Sequence, residues 1–356
     1  MSQILNDLNK IKKIDSQNMR GSIEILPKQI AQVKEDFKKI DLPKFENIKN
    51  IVICGMGGSA LGGHILKSLY FNELKIPVEI VNDYFAPCWV GKNTLCIISS
   101  YSGNTEEPLN AMKNAIRKKA NVFGITSGGE LAKMINDKKI TGYVFEPKYN
   151  ICGQPRMGLG YSIFSQLYFF KKIGILRLED KKVEDIILEL KKNIKRFGIS
   201  NNANNIAKEI ALSLHKHIPI FIASNFLSGS AHTFANQLNE TSKNFSSYFL
   251  LPEAAHHLLD GLSFPKSNSN LKFFLIKSKL YYPENILKYD IMEKILNKSK
   301  IKFSSYECAG KDKLSQVFEV LALSSWTSFY LAILNKIDPS PVPVVVFFKR
   351  EGGLAE

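Results

Sequence analysis

The chain alternates short, densely apolar runs with longer stretches in which apolar residues recur every third or fourth position. Five runs fall in the first half, at residues 50–56, 77–83, 94–98, 121–126 and 142–146. Four more follow at 218–225, 246–251, 271–277 and 302–307. A run that is apolar at consecutive positions predicts a strand buried on both faces, as in a parallel sheet. Between the runs, helical spacing appears at 64–71, 108–119, 131–136 and 312–334, and residues 1–46 read as amphipathic helix with Pro27 opening a turn or a new helix. A further apolar helix opens at Pro155 and runs to about residue 170, and 178–214 reads as charged helix bridging two lobes. The tail 338–343 is expected to be extended by its prolines. Strands alternating with helices at this spacing predict an α/β fold of parallel sheets flanked by helices on both faces.

The pattern restarts at 218–225 and runs into Ser228-Gly229-Ser230-Ala231, loosely repeating an earlier strand-to-glycine transition. That echo predicts an internal duplication of one α/β unit. The expected organisation is a helical segment at 1–46, a first subdomain at 47–175, a helical bridge at 176–214, and a second subdomain with a C-terminal helix and tail at 215–356.

Parallel sheets bind ligands at the C-terminal ends of their strands. Three glycine- and serine-rich turns lie at such ends, at 55–63, 99–105 and 126–130. The middle one, Ser99-Ser100-Tyr101-Ser102-Gly103-Asn104-Thr105, leads into a helix N-terminus. Unpaired N–H groups and the helix dipole favour an anion there. Ser100, Ser102 and Thr105 supply hydroxyls for a phosphate, although a helix cap with a tight turn uses the same residue types. In the first turn, Gly55, Gly57 and Ala60 also fit a dinucleotide fingerprint, with Asp83 about 20 residues on as a ribose acid. A second phosphate-suited turn after the third strand is not part of that design.

Composition adjusts this picture in two places. The formal net charge is +15, but the basic residues are overwhelmingly Lys, with six Arg, and they are scattered along helices with few aromatics between them. That distribution suits solvated helix faces and attraction of a small anion better than nucleic acid. The five cysteines (Cys54, Cys88, Cys96, Cys152, Cys308) are dispersed and lack CxxC spacing, so buried thiols of a reduced, cytoplasmic protein are expected, with neither disulfides nor a zinc site. No 18-residue apolar run and no signal-like N-terminus is present, so no membrane partner is expected.

The motifs Gly-Met-Gly-Gly-Ser (55–59), Ser-Tyr-Ser-Gly-Asn-Thr-Glu-Glu (100–107) and Ile-Thr-Ser-Gly-Gly-Glu-Leu (125–131) resemble the sugar-isomerase (SIS) fold. Pro155-Arg156, Asn239-Glu240-Thr241-Ser242-Lys243 and Pro252-Glu253-Ala254-Ala255-His256-His257 narrow the resemblance to the bifunctional phosphoglucose/phosphomannose isomerases. It extends from the segment 18–29 to Trp326–Pro339 and Lys349, essentially the whole chain. It implies two SIS-type, flavodoxin-like subdomains, a homodimer with active sites near the subunit interface, and interconversion of glucose 6-phosphate or mannose 6-phosphate with fructose 6-phosphate. No cofactor or metal is implied.

The resemblance also implies roles. Glu240 is the base that moves a proton between C2 and C1, Arg156 stabilises the enediolate, and His256 opens the sugar ring, chemistry that each side chain suits. Gly57, Gly58 and Ser59 contact the open-chain sugar, Ser100, Ser102 and Thr105 hold its phosphate, and Lys349 reaches the substrate, with Ser340 as a further hydroxyl near C2. The chain departs from the family pattern at Ala254-Ala255 and at His257, beside the ring-opening group. Other readings stay open: a phosphosugar-binding regulator, or an isomerase of a heptose or amino-sugar phosphate.

Overall fold

The computed structural model describes residues 3–201 and 203–352. Helices α1 (Leu8–Ile14), α2 (Met19–Glu24) and α3 (Leu26–Lys39) precede strand β1 (Asn50–Cys54) and α4 (Gly58–Leu69). Then come β2 (Val78–Val81), β3 (Thr94–Ser99), α5 (Glu106–Arg117), β4 (Asn121–Thr126), α6 (Gly129–Asn136) and β5 (Thr141–Val144). Helices α7 (Leu159–Lys172), α8 (Asp180–Phe197) and α9 (Ile206–Leu214) lead to β6 (Ile218–Ser224) and α10 (Ser228–Gln237). The chain continues through β7 (Ser247–Leu251), β8 (Leu271–Lys277), α11 (Pro283–Lys298), β9 (Lys302–Glu307), α12 (Lys313–Leu334) and α13 (Pro343–Glu351).

The strands form two separate, wholly parallel sheets, in the orders β2-β1-β3-β4-β5 and β7-β6-β8-β9. The first is the flavodoxin-like order, and the second repeats it without its last strand. The chain divides into one compact unit of Ile25–Ile187 with Val342–Glu356, and another of Met1–Glu24 with Leu188–Pro341. Each unit holds one sheet.

In the first unit β3 is buried at every residue, as its unbroken apolar sequence requires. Val52, Cys54, Cys96 and Ile98 face α5 and α6 and pack with Ala111, Met112 and Leu131. On the opposite face Phe123 stacks on Phe169 of α7 with centroids 3.6 Å apart, and Phe145 stacks on Tyr161 at 4.5 Å. Helix α4 begins earlier than its apolar spacing predicts, so Gly62 and Gly63 lie inside it. A Cβ at Gly62 would stand 2.3 Å from Ser162 Oγ, and one at Gly63 3.0 Å from Ile53 Cγ2. These glycines let α4 press against α7 and the sheet.

In the second unit Phe221 of β6 stacks on Phe234 of α10, with Phe274 of β8 edge-on. Helix α12 is long and apolar enough to cross a membrane, yet 94% of that stretch is buried within the fold, so it is a core helix.

Two expectations are corrected here. The proline-rich tail is not extended: it bends at Pro339 and Ser340, where Ser340 N donates to Asp338 Oδ1 (3.0 Å), and Pro343 opens α13 from its first turn, where proline's fixed φ suits a helix. Cys88 is exposed, whereas Cys54, Cys96, Cys152 and Cys308 are buried free thiols; burial pushes the Cys96 thiol up to about 12.

Candidate active site

In a parallel sheet the ligand crevice forms where the strand order reverses, between the ends of neighbouring strands whose crossovers leave in opposite directions. In the first sheet that point lies between β1 and β3. The turn after β1 carries Gly57 and Gly58, and the turn after β3 carries Ser100 to Thr105. Gly57 sits at φ +47° as the residue before α4, a conformation that favours glycine. The two turns are bonded to each other. Tyr101 N donates to Ser59 Oγ (2.9 Å), and Ser99 Oγ donates to Ser59 O (2.8 Å).

Within the hydroxyl turn, Gly103 N donates to Ser100 Oγ (3.1 Å), Ser100 Oγ to Thr105 Oγ1 (3.2 Å), and Asn104 N to Ser102 Oγ (3.3 Å). Ser100 is 1% exposed and braces the turn from inside, Ser102 is exposed, and Thr105 is half-buried at the start of α5. Gly103 has φ +75°, and a Cβ there would lie 1.8 Å from Gly128 O. The third glycine turn therefore supports the second. Ser127 N and Oγ both donate to Tyr101 O, and Asn104 Oδ1 accepts from Glu130 N at the start of α6. Asn104 was not singled out from sequence, though an Asn between Gly103 and Thr105 is a familiar turn and cap residue.

Arg156 forms the next wall. It lies in a 3₁₀ turn (Pro155–Met157) before α7, is fully buried, and donates from Nη1 to Gln154 Oε1 at 3.1 Å. A Cβ on Gly58 would sit 2.8 Å from Arg156 N, so the glycine turn and the arginine backbone are in direct contact. Ser59, Ser99, Tyr101, Pro155, Gly158 and Ser162 line the small recess between them. Burial pushes the Tyr101 phenol up to about 12, so it stays neutral, and its oxygen accepts from Asn150 Nδ2 (2.8 Å). Gly57, Gly58, Ser59, Ser100, Ser102, Thr105 and Arg156 thus come together in one unit. This wall offers hydroxyls, backbone amides and a fixed cation, the donors that a phosphate and a developing enolate oxygen require.

Glu240 and His256 belong to the other unit. Glu240 is half-buried in a π-helical turn (Leu238–Ser242) that continues α10. Such turns interrupt helices at functional sites more often than elsewhere. This one is pinned at several points: Ser242 Oγ donates to Leu238 O (2.6 Å), Asn335 Nδ2 to Ser242 O (3.0 Å), and Asn239 pairs with the backbone of Ser246. Lys243 ends the turn in the left-handed region and donates to Thr241 O (3.3 Å) and Asp338 O (2.6 Å).

His256 is exposed in a 3₁₀ turn (Glu253–His256). His257 is the partnered member of the pair, with Nε2 2.6 Å from Glu253 Oε2. Ser340 is fully buried, and Lys349 is half-buried on α13. Asp83, the ribose acid of a dinucleotide reading, instead accepts from Tyr84 N at the head of its own loop.

The corresponding point of the second sheet, between β6 and β8, is filled by the chain itself. Asn285 Nδ2 donates to Ser224 Oγ (2.8 Å) and Asn225 Oδ1 (3.1 Å), and Ser224 N donates to Tyr281 OH (3.4 Å). Tyr281 and Asn285 are buried there.

Residues 203–351 match the bacterial phospho-glucose isomerase C-terminal SIS domain. A bifunctional phosphoglucose/phosphomannose isomerase of Caldicellulosiruptor bescii is 32% identical over 337 residues, covering 94% of this chain and 98% of the relative. One from Aquifex aeolicus is 29% identical, covering 85% and 90%. A hypothetical protein of Thermus thermophilus superposes with TM-score 0.71 at 14% identity over 96% of this chain and 92% of its own, a likeness of fold. By near full-length similarity, the chain belongs to the bifunctional phosphoglucose/phosphomannose isomerases.

Proposed function

We propose that the chain is a metal-independent aldose–ketose isomerase that interconverts glucose 6-phosphate and mannose 6-phosphate with fructose 6-phosphate. The observation that carries the reading is the buried Arg156, whose backbone abuts Gly58, in a segment that shares one recess with Ser59, Ser99 and Tyr101 at the switch point of the first sheet. The phosphate sits on Ser102, Thr105 and the backbone amides of the turn that Ser100 braces. Gly57, Gly58 and Ser59 face the open chain, and Lys349 reaches it from α13.

His256 carries the C1 hydroxyl proton to the ring oxygen and so opens the ring. The Glu240 carboxylate then takes the C2 proton, and the negative charge that develops on the oxygens at C1 and C2 faces Arg156. The C2 hydroxyl proton passes to the C1 oxygen, and returning the abstracted proton to C1 leaves the carbonyl at C2, the ketose. The enediolate is planar at C2, so the two aldoses, which differ only there, pass through the same intermediate.

The exposed helix α13 and the exposed His256 support a homodimer with its active site near the subunit interface. Val344 and Phe348 are 77% and 72% exposed, and Val345, Val346 and Phe347 are exposed beside them. Such an apolar row calls for a covering surface, and a second copy supplies it. We place the enzyme in the cytoplasm, in line with its free thiols.

Fructose 6-phosphate formation from each aldose phosphate, with EDTA present, tests the reading. Turnover of both, abolished by Glu240→Gln, supports it. Thermal stabilisation by sugar phosphates without turnover would instead favour a binding protein or an enzyme for another sugar phosphate.

A further inference from the structure

Gln29 of α3 is fully buried, and all of its amide bonding goes to the segment that carries Arg156. Nε2 donates to Tyr149 O and to Met157 O, each at 2.9 Å, and Oε1 accepts from Gly160 N at 3.1 Å. These partners bracket Arg156 on both sides. Gly160 permits the approach, since a Cβ there would stand 2.7 Å from Gln29 Cβ.

The same face of α3 extends the grip. Gln32 Nε2 donates to Glu146 O (3.0 Å), Gln32 Oε1 accepts from Tyr161 OH (2.8 Å), and Tyr143 OH donates to Asp36 Oδ2 (2.6 Å). Positions 29, 32 and 36 share one helix stripe. The glycine turn at Gly58 closes on the Arg156 backbone from elsewhere, so the arginine backbone is held between α3 and the substrate-facing turn.

We propose that Gln29 is a positioning residue for Arg156, fixing where the guanidinium meets the enediolate. The proposal rests on the reading of Arg156 given above. Only a primary amide donates twice and accepts once in this pattern. A glutamate offers no donor to the two carbonyls, and a methionine of similar shape leaves two carbonyls and one N–H without partners. These hydrogen bonds of Gln29 go to Tyr149, Met157 and Gly160 and not to the phosphate turn, so the effect falls on the chemical step and not on ground-state binding.

The test compares Gln29→Met, Arg156→Ala and the double variant in steady-state isomerisation. Gln29→Met is expected to lower kcat by about ten- to a hundredfold, with KM held within about twofold. In the Arg156→Ala background it is expected to cost less than about twofold more, because its target is already gone. Binding supplies a second readout: a phosphorylated aldonic acid, which mimics the enediolate charge, loses affinity about tenfold in Gln29→Met, while sorbitol 6-phosphate binds within about twofold. If the two losses multiply in full, or both ligands weaken together, Gln29 supports the fold at large and the proposal falls alone. If Arg156→Ala keeps full kcat, the Arg156 reading falls and takes the proposal with it. Should Gln29→Met not fold, Gln32→Met is read in its place, with a smaller kcat loss expected and the same non-additivity required.

Discussion

The backbone N–H of Tyr101 donates to the hydroxyl oxygen of Ser59 across 2.9 Å, and this bond joins the turn after β1 to the turn after β3. The bond uses a lone pair of the Ser59 hydroxyl and leaves its proton to be donated elsewhere. One serine thereby sets the spacing of the two walls of the crevice. Ser59→Ala leaves the Tyr101 N–H without its acceptor at a cost of about 1–3 kcal/mol. The expected outcome in steady-state kinetics is a rise in KM for glucose 6-phosphate of about tenfold or more.

Gly103 is the residue on which the anion turn depends. Gly103→Ala puts a side chain at φ +75° and drives it into Gly128 O. The strain is of order 1–3 kcal/mol before the clash is counted, and the second and third turns must separate. Thermal stabilisation by sugar phosphate should vanish in this variant. A variant that still binds as the parent does would place the phosphate elsewhere.

The two sheets repeat one topology, but the switch point of the second is filled by Tyr281 and Asn285, whereas that of the first borders a recess lined by Ser59, Ser99 and Tyr101. Isothermal titration with a non-reacting sugar phosphate should give one site per chain. Asn285→Ala, which loosens the self-filled point of the second sheet, should lower stability by about 1–3 kcal/mol from lost buried hydrogen bonds without adding a second site.

Stability should fall on mild acidification. Burial holds the His64 imidazole below its ordinary 6.5, and the hydrogen bond it donates to Asn82 only partly offsets this. His64 is therefore neutral in the native protein, while the unfolded chain takes up its proton near 6.5. As pH falls from about 6.5 toward the depressed native value, the unfolded state binds more protons and stability is lost. Above that window His64 contributes no pH dependence. Melting temperature against pH should show this limb, and His64→Gln should flatten it.

Much of the fold was legible in the sequence because parallel strands bury both faces. The run 94–98 has no polar alternation, and β3 is buried throughout. The three glycine-rich turns were legible for a similar reason, since each ends a strand that the pattern already marks. Helix α13 was not legible, because Pro339, Pro341 and Pro343 suggest extension and only Pro343 falls where a helix begins. Ser100 illustrates a subtler gap, as its spacing matches Ser102 and Thr105 yet its hydroxyl is turned into the loop. The grip of Gln29 on Tyr149, Met157 and Gly160 joins residues 120 to 131 positions apart, and no local pattern encodes it.

The π-helical turn at Leu238–Ser242 has a consequence for how this centre is gained or lost. Each residue of an α-helix advances about 100° around the axis, so a turn that is one residue wide of the regular repeat swings everything after it by that amount. The heading of Glu240 is thus a matter of residue count as well as identity. Deleting Leu238 or Asn239 would restore a regular helix and aim the Glu240 carboxylate at a different quarter, with Glu240 still in the sequence. A three-nucleotide loss would thus redirect Glu240 while a check of residue identities found it in place.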